Sequence, residues 1–389
     1  MGTEDIFVDN GTLRHTQYVH RAAMAGLEHG RRYEYRVATV GESGGEPRFC
    51  NETFEFVALF PSASDPTSLT VFGDMGWWNN RVFGQLAADA VSRDTDIVIH
   101  NGDMAYDLHV DNASVGDRWL NQLQPIASRQ PYMVAQGNHE AIYDGLNYIK
   151  RFSMPNRTQA HNLWYSFDHG NAHCLVFTSE AYFEMLDHRW PELGRDSWGP
   201  YPDWVRAQRA FIASDLASAA ARRDSGTGPR WLLVFGHRAM YCSDRGCNAT
   251  MANRARNLTA HAHFCNDLEP LFFKFGVDIV FGAHWHTYER LWPVYNNTVL
   301  NGTTNPSNPY HDARAPVHII AGAAGCDEHS DDFNGGPPGP WSAVRLGRQE
   351  YGYGKLRLLN ASHATWQQIR APDGAIRDNF TIVKSVKSV

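Results

Sequence analysis

The stretch that decides the fold reads Leu-Thr-Val-Phe-Gly-Asp-Met-Gly at residues 69–76. A second stretch of the same design, Ile-Val-Ile-His-Asn-Gly-Asp-Met-Ala-Tyr, follows at residues 97–106. Each begins with a short apolar run typical of a buried strand and continues into a glycine turn that carries an aspartate. Residues 81–93 suit a helix, and residues 203–222 form a second, alanine-rich helical pattern. Alternation of strands with helices predicts an α/β fold.

Three further glycine turns carry side chains that bind metals or exchange protons. They read Gly137-Asn138-His139-Glu140, Gly236-His237-Arg238 and Gly282-Ala283-His284-Trp285-His286. The last two follow apolar runs at residues 231–235 and 278–281, which predict buried strands. In α/β sheets, ligands bind in the crevice beyond the carboxyl ends of the strands, and glycine lets the backbone approach them closely. A single Gly-Asp or histidine is usually structural, but five such turns in order predict a metal site.

The first sixty residues have a different pattern, in which apolar and polar residues alternate. This alternation over residues 17–21, 33–37 and 53–57 predicts three strands. Because a complete β-sandwich has about seven strands, we expect residues 1–60 to form a partial, N-terminally truncated sandwich domain. Residues 61–66, Pro-Ser-Ala-Ser-Asp-Pro, are the predicted linker to a second domain over residues 67–389.

Composition restricts the classes of function. The chain of 389 residues has 35 Lys and Arg against 42 Asp and Glu, a net charge of −7, which argues against a nucleic-acid partner. Hydrophobic residues make up 43% and charged residues 20%, which is the balance of a folded globular protein and excludes a disordered chain. No run of about 18 apolar residues is present, so no membrane-spanning helix is expected.

Nine Asn-x-Ser/Thr sequons indicate passage through the secretory route. They begin at Asn51, Asn112, Asn156, Asn248, Asn257, Asn296, Asn301, Asn360 and Asn379. Chance would give roughly two or three, so N-linked glycans and a secreted or lysosomal location are predicted. The polar N-terminus is not a signal peptide, which leaves a removed signal, a fragment or an alternative start. Cys242 and Cys247 either form a local disulfide or stay reduced.

The five glycine turns together resemble the metallophosphoesterase superfamily and, within it, the purple acid phosphatases. The general superfamily pattern begins Gly-Asp-x-His, but Gly76 stands at the histidine position here. Tyr106, three residues after Asp103, instead supplies the tyrosine of the purple acid phosphatase pattern. Residues 101–107, 283–295 and 316–327 also resemble the animal acid phosphatase type 7-like branch. The resemblance implies a sandwich of two mixed β-sheets flanked by helices and preceded by a partial fibronectin-like β-sandwich domain.

The resemblance also implies two metals that share Asp103 as a bridge. The first site would take Asp74, Asp103, Tyr106 and His286, and the second Asp103, Asn138, His237 and His284. The chemical hardness of the ligands supports this division into two sites. The carboxylates and phenolate of the first site suit Fe(III), whereas the imidazoles and amide of the second suit Zn(II), Fe(II) or Mn(II). Since tyrosine normally ionises at about pH 10, phenolate binding at neutral pH needs a strong Lewis acid.

The implied activity is an acid phosphatase that hydrolyses small phosphate monoesters. The two metals would clamp the phosphate and generate the attacking hydroxide, so no protein nucleophile and no phosphoenzyme are expected. His139 is the candidate general acid or phosphate-binding group. The alternative is that it only forms a hydrogen bond to the metal ligands from outside the coordination sphere. Residues 242–257 lack the further histidines that the family often has there, and His261 and His263 come later, which leaves the substrate contacts open.

Three alternative readings remain, and no oligomeric state is predicted. The first is a Mn- or Zn-loaded metallophosphoesterase acting on phosphodiesters or phosphoproteins, against which Tyr106 and Gly76 argue. The second is a non-catalytic glycoprotein module, which the complete set of seven ligand positions disfavours. The third is a chain whose truncated N-terminal domain exposes a strand edge and aggregates.

Overall fold

A computed structural model of the chain describes residues 2–9, 11–41, 45–155, 157–183, 201–244, 260–326, 328, 331–371 and 373–385. The strands are β1 (Thr3–Val8), β2 (Thr16–Arg21), β3 (Arg32–Tyr35), β4 (Ala38–Thr39), β5 (Arg48–Phe49), β6 (Phe54–Val57), β7 (Thr67–Phe72), β8 (Ile97–His100), β9 (Tyr132–Val134), β10 (Tyr165–His169), β11 (Ala172–Val176), β12 (Trp231–Arg238), β13 (Ile279–Ala283), β14 (Tyr288–Leu291), β15 (Val294–Tyr295), β16 (Thr298–Val299), β17 (Val317–Ala321), β18 (Ser342–Leu346), β19 (Gly352–Leu358), β20 (His363–Arg370) and β21 (Ile376–Val383). The α-helices are α1 (Phe83–Ser92), α2 (Ser114–Ala127), α3 (Leu146–Arg151), α4 (Arg157–Ala160), α5 (Tyr201–Asp224) and α6 (Ala260–Lys274).

Two mixed sheets form the centre of the molecule. One has six strands in the order β21-β20-β19-β7-β8-β9, and the other has seven in the order β10-β11-β12-β13-β17-β14-β18. Strands β7, β8 and β9 run parallel to one another, as do β11, β12, β13 and β17. The predicted sandwich of two mixed sheets is confirmed.

Apolar side chains from both sheets pack against each other in the middle layer. Leu69, Val71 and Ile99 from the six-stranded sheet share this cluster with Phe235 and Phe281 from the seven-stranded one. These parallel strands are covered on both faces, which explains why they read as continuous apolar runs rather than as alternating ones.

Helices cover the outer face of each sheet. Trp119 of α2 and Tyr148 of α3 join the cluster outside the six-stranded sheet, and Leu216 of α5 and Phe264 of α6 join the one outside the seven-stranded sheet. The result is four layers, helix–sheet–sheet–helix, in which each sheet buries both faces. None of the helices within the described ranges is long and apolar enough to cross a membrane.

The N-terminal region consists of short antiparallel ladders, β1–β2, β3–β6 and β4–β5. The three predicted strands correspond to β2, β3 and β6, whereas β1 was not predicted. The β1–β2 ladder contacts α3 and α4, because the Asp5 carboxylate pairs with Lys150 at 3.3 Å and also with Arg157. Phe7 in β1 is buried beneath the guanidinium of Arg151. The strand-rich N-terminus fits a sandwich-type domain lying against the second part of the chain.

Backbone hydrogen bonds join the ends of the parallel strands, both between the two sheets and within the six-stranded sheet. Gly73, directly after β7, donates its N–H to the carbonyl of Ala321 at the end of β17 at 2.8 Å. Asp74 donates to the carbonyl of Gly102, after β8, at 3.1 Å. The carboxyl ends of strands from both sheets therefore meet at one place.

Candidate metal centre

Each predicted ligand lies at this common edge of the two sheets. Asp74 follows β7, Asp103 follows β8, Asn138 follows β9 and His284 follows β13, whereas His237 is the second-last residue of β12. Tyr106 and His286 extend the turns that carry Asp103 and His284. The structure thus brings all seven residues together, in two adjoining clusters.

The first cluster contains Asp74, Tyr106 and His286. The Tyr106 hydroxyl lies 3.1 Å from Asp74 Oδ1 and 2.9 Å from His286 Nε2. His286 Nε2 is itself 3.5 Å from Asp74 Oδ1. Asp74 is fully buried and His286 is buried, so a carboxylate, a phenol and an imidazole converge away from bulk water.

The second cluster contains Asp103, Asn138, His237 and His284. His237 Nε2 lies 3.0 Å from Asp103 Oδ2 and 3.2 Å from Asn138 Oδ1. Possible ligand atoms of Asp103, His237 and His284 all lie within 4.8 Å of one another. The clusters touch, because the backbone N–H of His284 donates to Asp74 Oδ2 at 2.9 Å.

The hydrogen bonds around the two histidines of the second cluster fit a cation. The Nδ1–H group of His237 donates to the carbonyl of Asn101 at 2.9 Å, which leaves Nε2 with a lone pair in the neutral ring. Burial opposes protonation, but the charge of Asp103 raises the pKa of His237 to about 9, so that without a metal Nε2 carries a proton toward this carboxylate. A cation would replace that proton and bind the Nε2 lone pair together with the oxygens of Asp103 and Asn138. His284 Nδ1 is buried without a hydrogen-bond partner among the described residues. Converging acceptors and an orphaned nitrogen are what a metal ion would satisfy.

Tight backbone packing holds the ligand turns in place. Asp74, Asp103, Tyr106 and His284 have φ of 59°, 51°, 51° and 72°, values that are uncommon for residues other than glycine. Such strain persists only where the surrounding structure enforces it, and it is concentrated at functional sites. A Cβ on Gly137 would lie 2.2 Å from Asp103 Oδ1, which confirms that this glycine is needed for close approach.

Burial and neighbouring charge set the protonation of the first cluster. Burial, together with the charges of Asp74 and Asp103, raises the pKa of Tyr106 well above its usual value. Burial also raises the pKa of Asp74, although His286 opposes this. Tyr106 is therefore a phenol until a strongly polarising cation replaces its proton, as the sequence argument required.

His139 lies beside both clusters without belonging to either. Its Nδ1 bonds to the carboxylate of Asp107, and its Nε2 lies 4.0 Å from Asp103 Oδ2 and 3.5 Å from Glu328. Its ring packs on Tyr106 with 4.2 Å between centroids. Burial opposes protonation, but the bond to Asp107 and the charge of Asp103 raise the pKa of His139 to about 10. Cations bound at Asp103 would reduce this shift by neutralising its charge.

Sequence reasoning missed several residues that hold the ligands. The buried Glu140 accepts backbone N–H bonds from Asp103 and Met104 at 2.8 Å and from Gly137 at 3.0 Å, which clamps two ligand turns together. Cys326 Sγ lies 3.4 Å from His286 Nδ1. Glu140 belongs to the turn Gly137-Asn138-His139-Glu140, so an acidic side chain in a turn of candidate ligands was the sequence signal that could have indicated its role.

Two other histidines that the sequence offered contact other parts of the chain. His261 in α6 bonds to the carbonyl of Ala239 at 3.0 Å, and His263 packs against Tyr182. Cys242 is disulfide-bonded, whereas Cys247, its predicted partner, lies outside the described residues. The histidine-free stretch that follows likewise lies largely outside them.

Comparison with known proteins agrees with this arrangement. The calcineurin-like phosphoesterase family matches residues 67–288, and the iron/zinc purple acid phosphatase-like protein C family matches residues 315–379. Acid phosphatase type 7 of Homo sapiens is 40% identical over 384 residues, and that of Mus musculus 39%; each alignment covers 98% of this chain and 81% of the relative.

The solved structure of the purple acid phosphatase PPD1 from yellow lupin (Lupinus luteus) seeds has the same fold. Its TM-score is 0.72 at 23% identity, and the match covers 98% of this chain and 66% of that one. Identity to the type 7 relatives, both family matches and the clustered ligand positions agree with one another. The chain belongs to the purple acid phosphatases of the calcineurin-like phosphoesterase family and is a phosphoester hydrolase with a dinuclear metal centre.

Proposed function

We propose that this chain is an acid phosphatase that hydrolyses phosphate monoesters at an Fe(III)–M(II) centre, in which M is Zn(II), Fe(II) or Mn(II). The observation that carries the proposal is the position of Tyr106, whose hydroxyl lies between Asp74 Oδ1 and His286 Nε2. A phenolate is a hard anionic ligand that suits Fe(III) better than a divalent metal.

The two clusters divide the ligands by chemical type. Fe(III) would be held by Asp74, Asp103, Tyr106 and His286, and M(II) by Asp103, Asn138, His237 and His284. When bound, the two cations supply a hydroxide nucleophile at acid pH and neutralise the phosphate oxygens. The role of Asp103 as the shared ligand is supported by its contact with His237 and by its charge, which acts on Tyr106 as well.

His139 is the residue that would hold a proton for the leaving group. Its Nδ1–H group donates to Asp107, which fixes the ring and directs Nε2 toward Asp103 and the clusters. In the protonated form Nε2–H either donates to a phosphate oxygen or protonates the departing alkoxide. This fixed orientation favours direct contact with the substrate over a role limited to hydrogen bonding with the metal ligands.

The proposal is tested by the visible spectrum, iron content and para-nitrophenyl phosphate hydrolysis of the wild-type protein and Tyr106→Phe. We expect a phenolate-to-Fe(III) charge-transfer band and activity at acid pH in the wild type, and loss of the band in the variant. Tyr353→Phe is the matched control, because the buried Tyr353 also donates its hydroxyl to an aspartate, the half-buried Asp89, but lies outside the clusters.

An iron-loaded, active protein without the band would contradict the Fe(III)–phenolate assignment. Activity on bis(para-nitrophenyl) phosphate that exceeds activity on the monoester would favour the Mn or Zn phosphodiesterase instead. A protein that holds both metals and hydrolyses neither ester would be a non-catalytic member of the family.

We also propose N-linked glycosylation and a secreted or lysosomal location. Four of the sequon asparagines are exposed: Asn51, Asn296, Asn360 and Asn379. Asn112 and Asn301 are half-buried, and Asn156, Asn248 and Asn257 lie outside the described residues. Protein made in a secretory host should lose mass on treatment with an N-glycosidase, and no change in mass would contradict the proposal. The division into domains over residues 1–60 and 67–389 stays a prediction.

A further inference from the structure

The turn between β1 and β2 lies against the loop that carries Asp107, the hydrogen-bond partner of His139. Leu13, in this turn, donates its backbone N–H to the side-chain oxygen of Asn112 at 2.9 Å. Asp107 and Asn112 belong to one loop, residues 107–113, which leads into helix α2. The N-terminal hairpin, by which we mean β1, β2 and the turn between them, therefore contacts a loop that reaches the metal clusters.

Three successive residues of this loop have left-handed backbone, with φ of 54°, 53° and 67° at Asp111, Asn112 and Ala113. For residues other than glycine this conformation costs about 1–2 kcal/mol each, although Asn and Asp adopt it more readily than other types do. Three such residues in a row persist only where the surrounding structure enforces them. The contacts that enforce this left-handed segment therefore decide where the loop lies.

Two of those contacts depend on the N-terminal hairpin. The first is the bond from Leu13 to Asn112. In the second, the carbonyl of Ala113 accepts a bond from the guanidinium of Arg151 at 2.8 Å. The buried ring of Phe7, in β1, packs against the same guanidinium, 5.8 Å from its carbon. The hairpin thus holds the left-handed segment directly through its turn and indirectly through Arg151.

Hydrogen bonds inside the loop connect this segment to Asp107. The N–H of Val110 donates to the carbonyl of Asp107 at 3.2 Å, and the N–H of Ala113 donates to the carbonyl of His109 at 3.0 Å. Burial lowers the pKa of His109, against the charges of Asp107 and of Asp9 in the hairpin turn, so both carboxylates lie near this ring. A displacement of the hairpin would consequently reach the carboxylate that orients the candidate proton donor.

We propose that the N-terminal hairpin positions the proton donor of the active site, because it holds the loop whose Asp107 fixes the ring of His139. Leu13 and Phe7 are then positioning residues, which act through the loop and not on the substrate. The inference rests on the proposed function in one respect, which is the role of His139 in protonating the leaving group.

Gly11→Ala tests the proposal from the hairpin side. Gly11 has a φ outside the left-handed region, so alanine causes no backbone strain there. The added methyl group would lie 2.7 Å from Asn112 Oδ1 and 3.2 Å from Asn112 Cα, so the asparagine has to move and its bond to Leu13 is lost. Gly41→Ala is the matched control in the N-terminal region, because no described atom lies within 4 Å of a Cβ added there.

The first measurement is amide hydrogen exchange followed by mass spectrometry, which needs no turnover. Peptides that cover residues 107–116 should exchange faster in Gly11→Ala than in the wild type, whereas peptides from β12 and β13 should keep the wild-type rate. Gly41→Ala should match the wild type in both regions.

The second measurement compares kcat for two monoesters at equal metal content. Glycerol 2-phosphate releases an alkoxide that needs a proton, whereas para-nitrophenyl phosphate releases an anion that is stable without one. Gly11→Ala should therefore lose about tenfold in kcat on glycerol 2-phosphate, part of the usual general-acid contribution, and much less on para-nitrophenyl phosphate. A merely structural defect would lower both rates in the same proportion. His139→Gln should change the ratio of the two rates in the same direction.

Two results would overturn the proposal. One is wild-type exchange of residues 107–116 in Gly11→Ala, and the other is an unchanged ratio of the two rates in Gly11→Ala when His139→Gln does change it. If Gly11→Ala fails to fold, Phe7→Leu, which keeps an apolar side chain but removes the ring from Arg151, is judged by the same two measurements. An unchanged ratio in His139→Gln itself would contradict the proposed function of His139 on which the inference rests.

Discussion

Gly137→Ala is the sharpest test of how the metal centre is built. Gly137 has a φ within the range of ordinary residues, so alanine causes no backbone strain there. The added methyl group would instead lie 2.2 Å from Asp103 Oδ1 and 2.6 Å from the Asp103 backbone nitrogen. Ordinary contacts of a Cβ begin at 3.4 Å, so the carboxylate would have to move by about 1.2 Å.

A displacement of this size should affect catalysis more than stability. Overpacking by one methyl group costs about 1–3 kcal/mol of unfolding free energy. Misplacing a catalytic group by about 1 Å can cost about a hundredfold in rate. We therefore expect kcat/KM for para-nitrophenyl phosphate to fall by about two orders of magnitude and metal content to fall, while the protein remains folded.

The assays are steady-state kinetics, metal analysis and urea unfolding of the metal-free protein. Gly84→Ala is the control, because nothing lies within 4 Å of a Cβ added there, inside α1. Wild-type kcat/KM and metal content in Gly137→Ala would refute the reasoning. They would mean that Asp103 does not need the position seen here.

Two further predictions concern stability. Metal-free protein should unfold at lower urea concentration than protein with a saturating divalent metal, because a ligand at a thousand times its Kd adds about 4 kcal/mol; superimposable curves would contradict this. Burial opposes protonation of His173, but hydrogen bonds to Asp168 and Asp215 raise its pKa to about 9 from the ordinary 6.5. Protonated His173 therefore adds up to about 3 kcal/mol to the free energy of unfolding, fully below about pH 6.5 and progressively less as the pH rises through about 9. In urea unfolding, His173→Gln should lack this pH dependence of stability. A pH profile of stability parallel to that of the wild type would rule out the role.

The strands that carry the ligands were predictable because they are buried on both faces. The apolar run at residues 97–100 coincides with β8. Because a parallel strand that is covered on both faces has apolar residues at successive positions, its sequence is recognisable as a continuous apolar run. The C-terminal hairpin strands β19, β20 and β21 were not predicted. Gly352 and Gly354 in β19 weaken the strand signal, and the added Cβ atoms would meet β20 at 2.2 and 1.9 Å.

The candidate site was predictable only where function depends on local sequence. Glycine turns mark the ligands because glycine and ligand are neighbours in the chain. The carboxylate of Glu140, for example, accepts the backbone N–H of Asp103, which lies 37 positions earlier in the chain. No local pattern reports such a contact, because it depends on the turns after β8 and β9 lying side by side in the folded sheet rather than on neighbouring residues in the chain.

Packing at the same edge agrees with the proposed exchange of histidine for tyrosine in the ligand set. Gly76 has a φ of 72°, and a Cβ there would lie 2.9 Å from the Cα of Cys326. Position 76 therefore has no room for the histidine of the general superfamily pattern. Cys326 occupies that space and places its sulfur against His286, while Tyr106 enters the cluster from the neighbouring turn. The proposed tyrosine ligand, and with it the proposed trivalent metal, would thus depend on the loop that carries Cys326, so we expect neither feature to change alone.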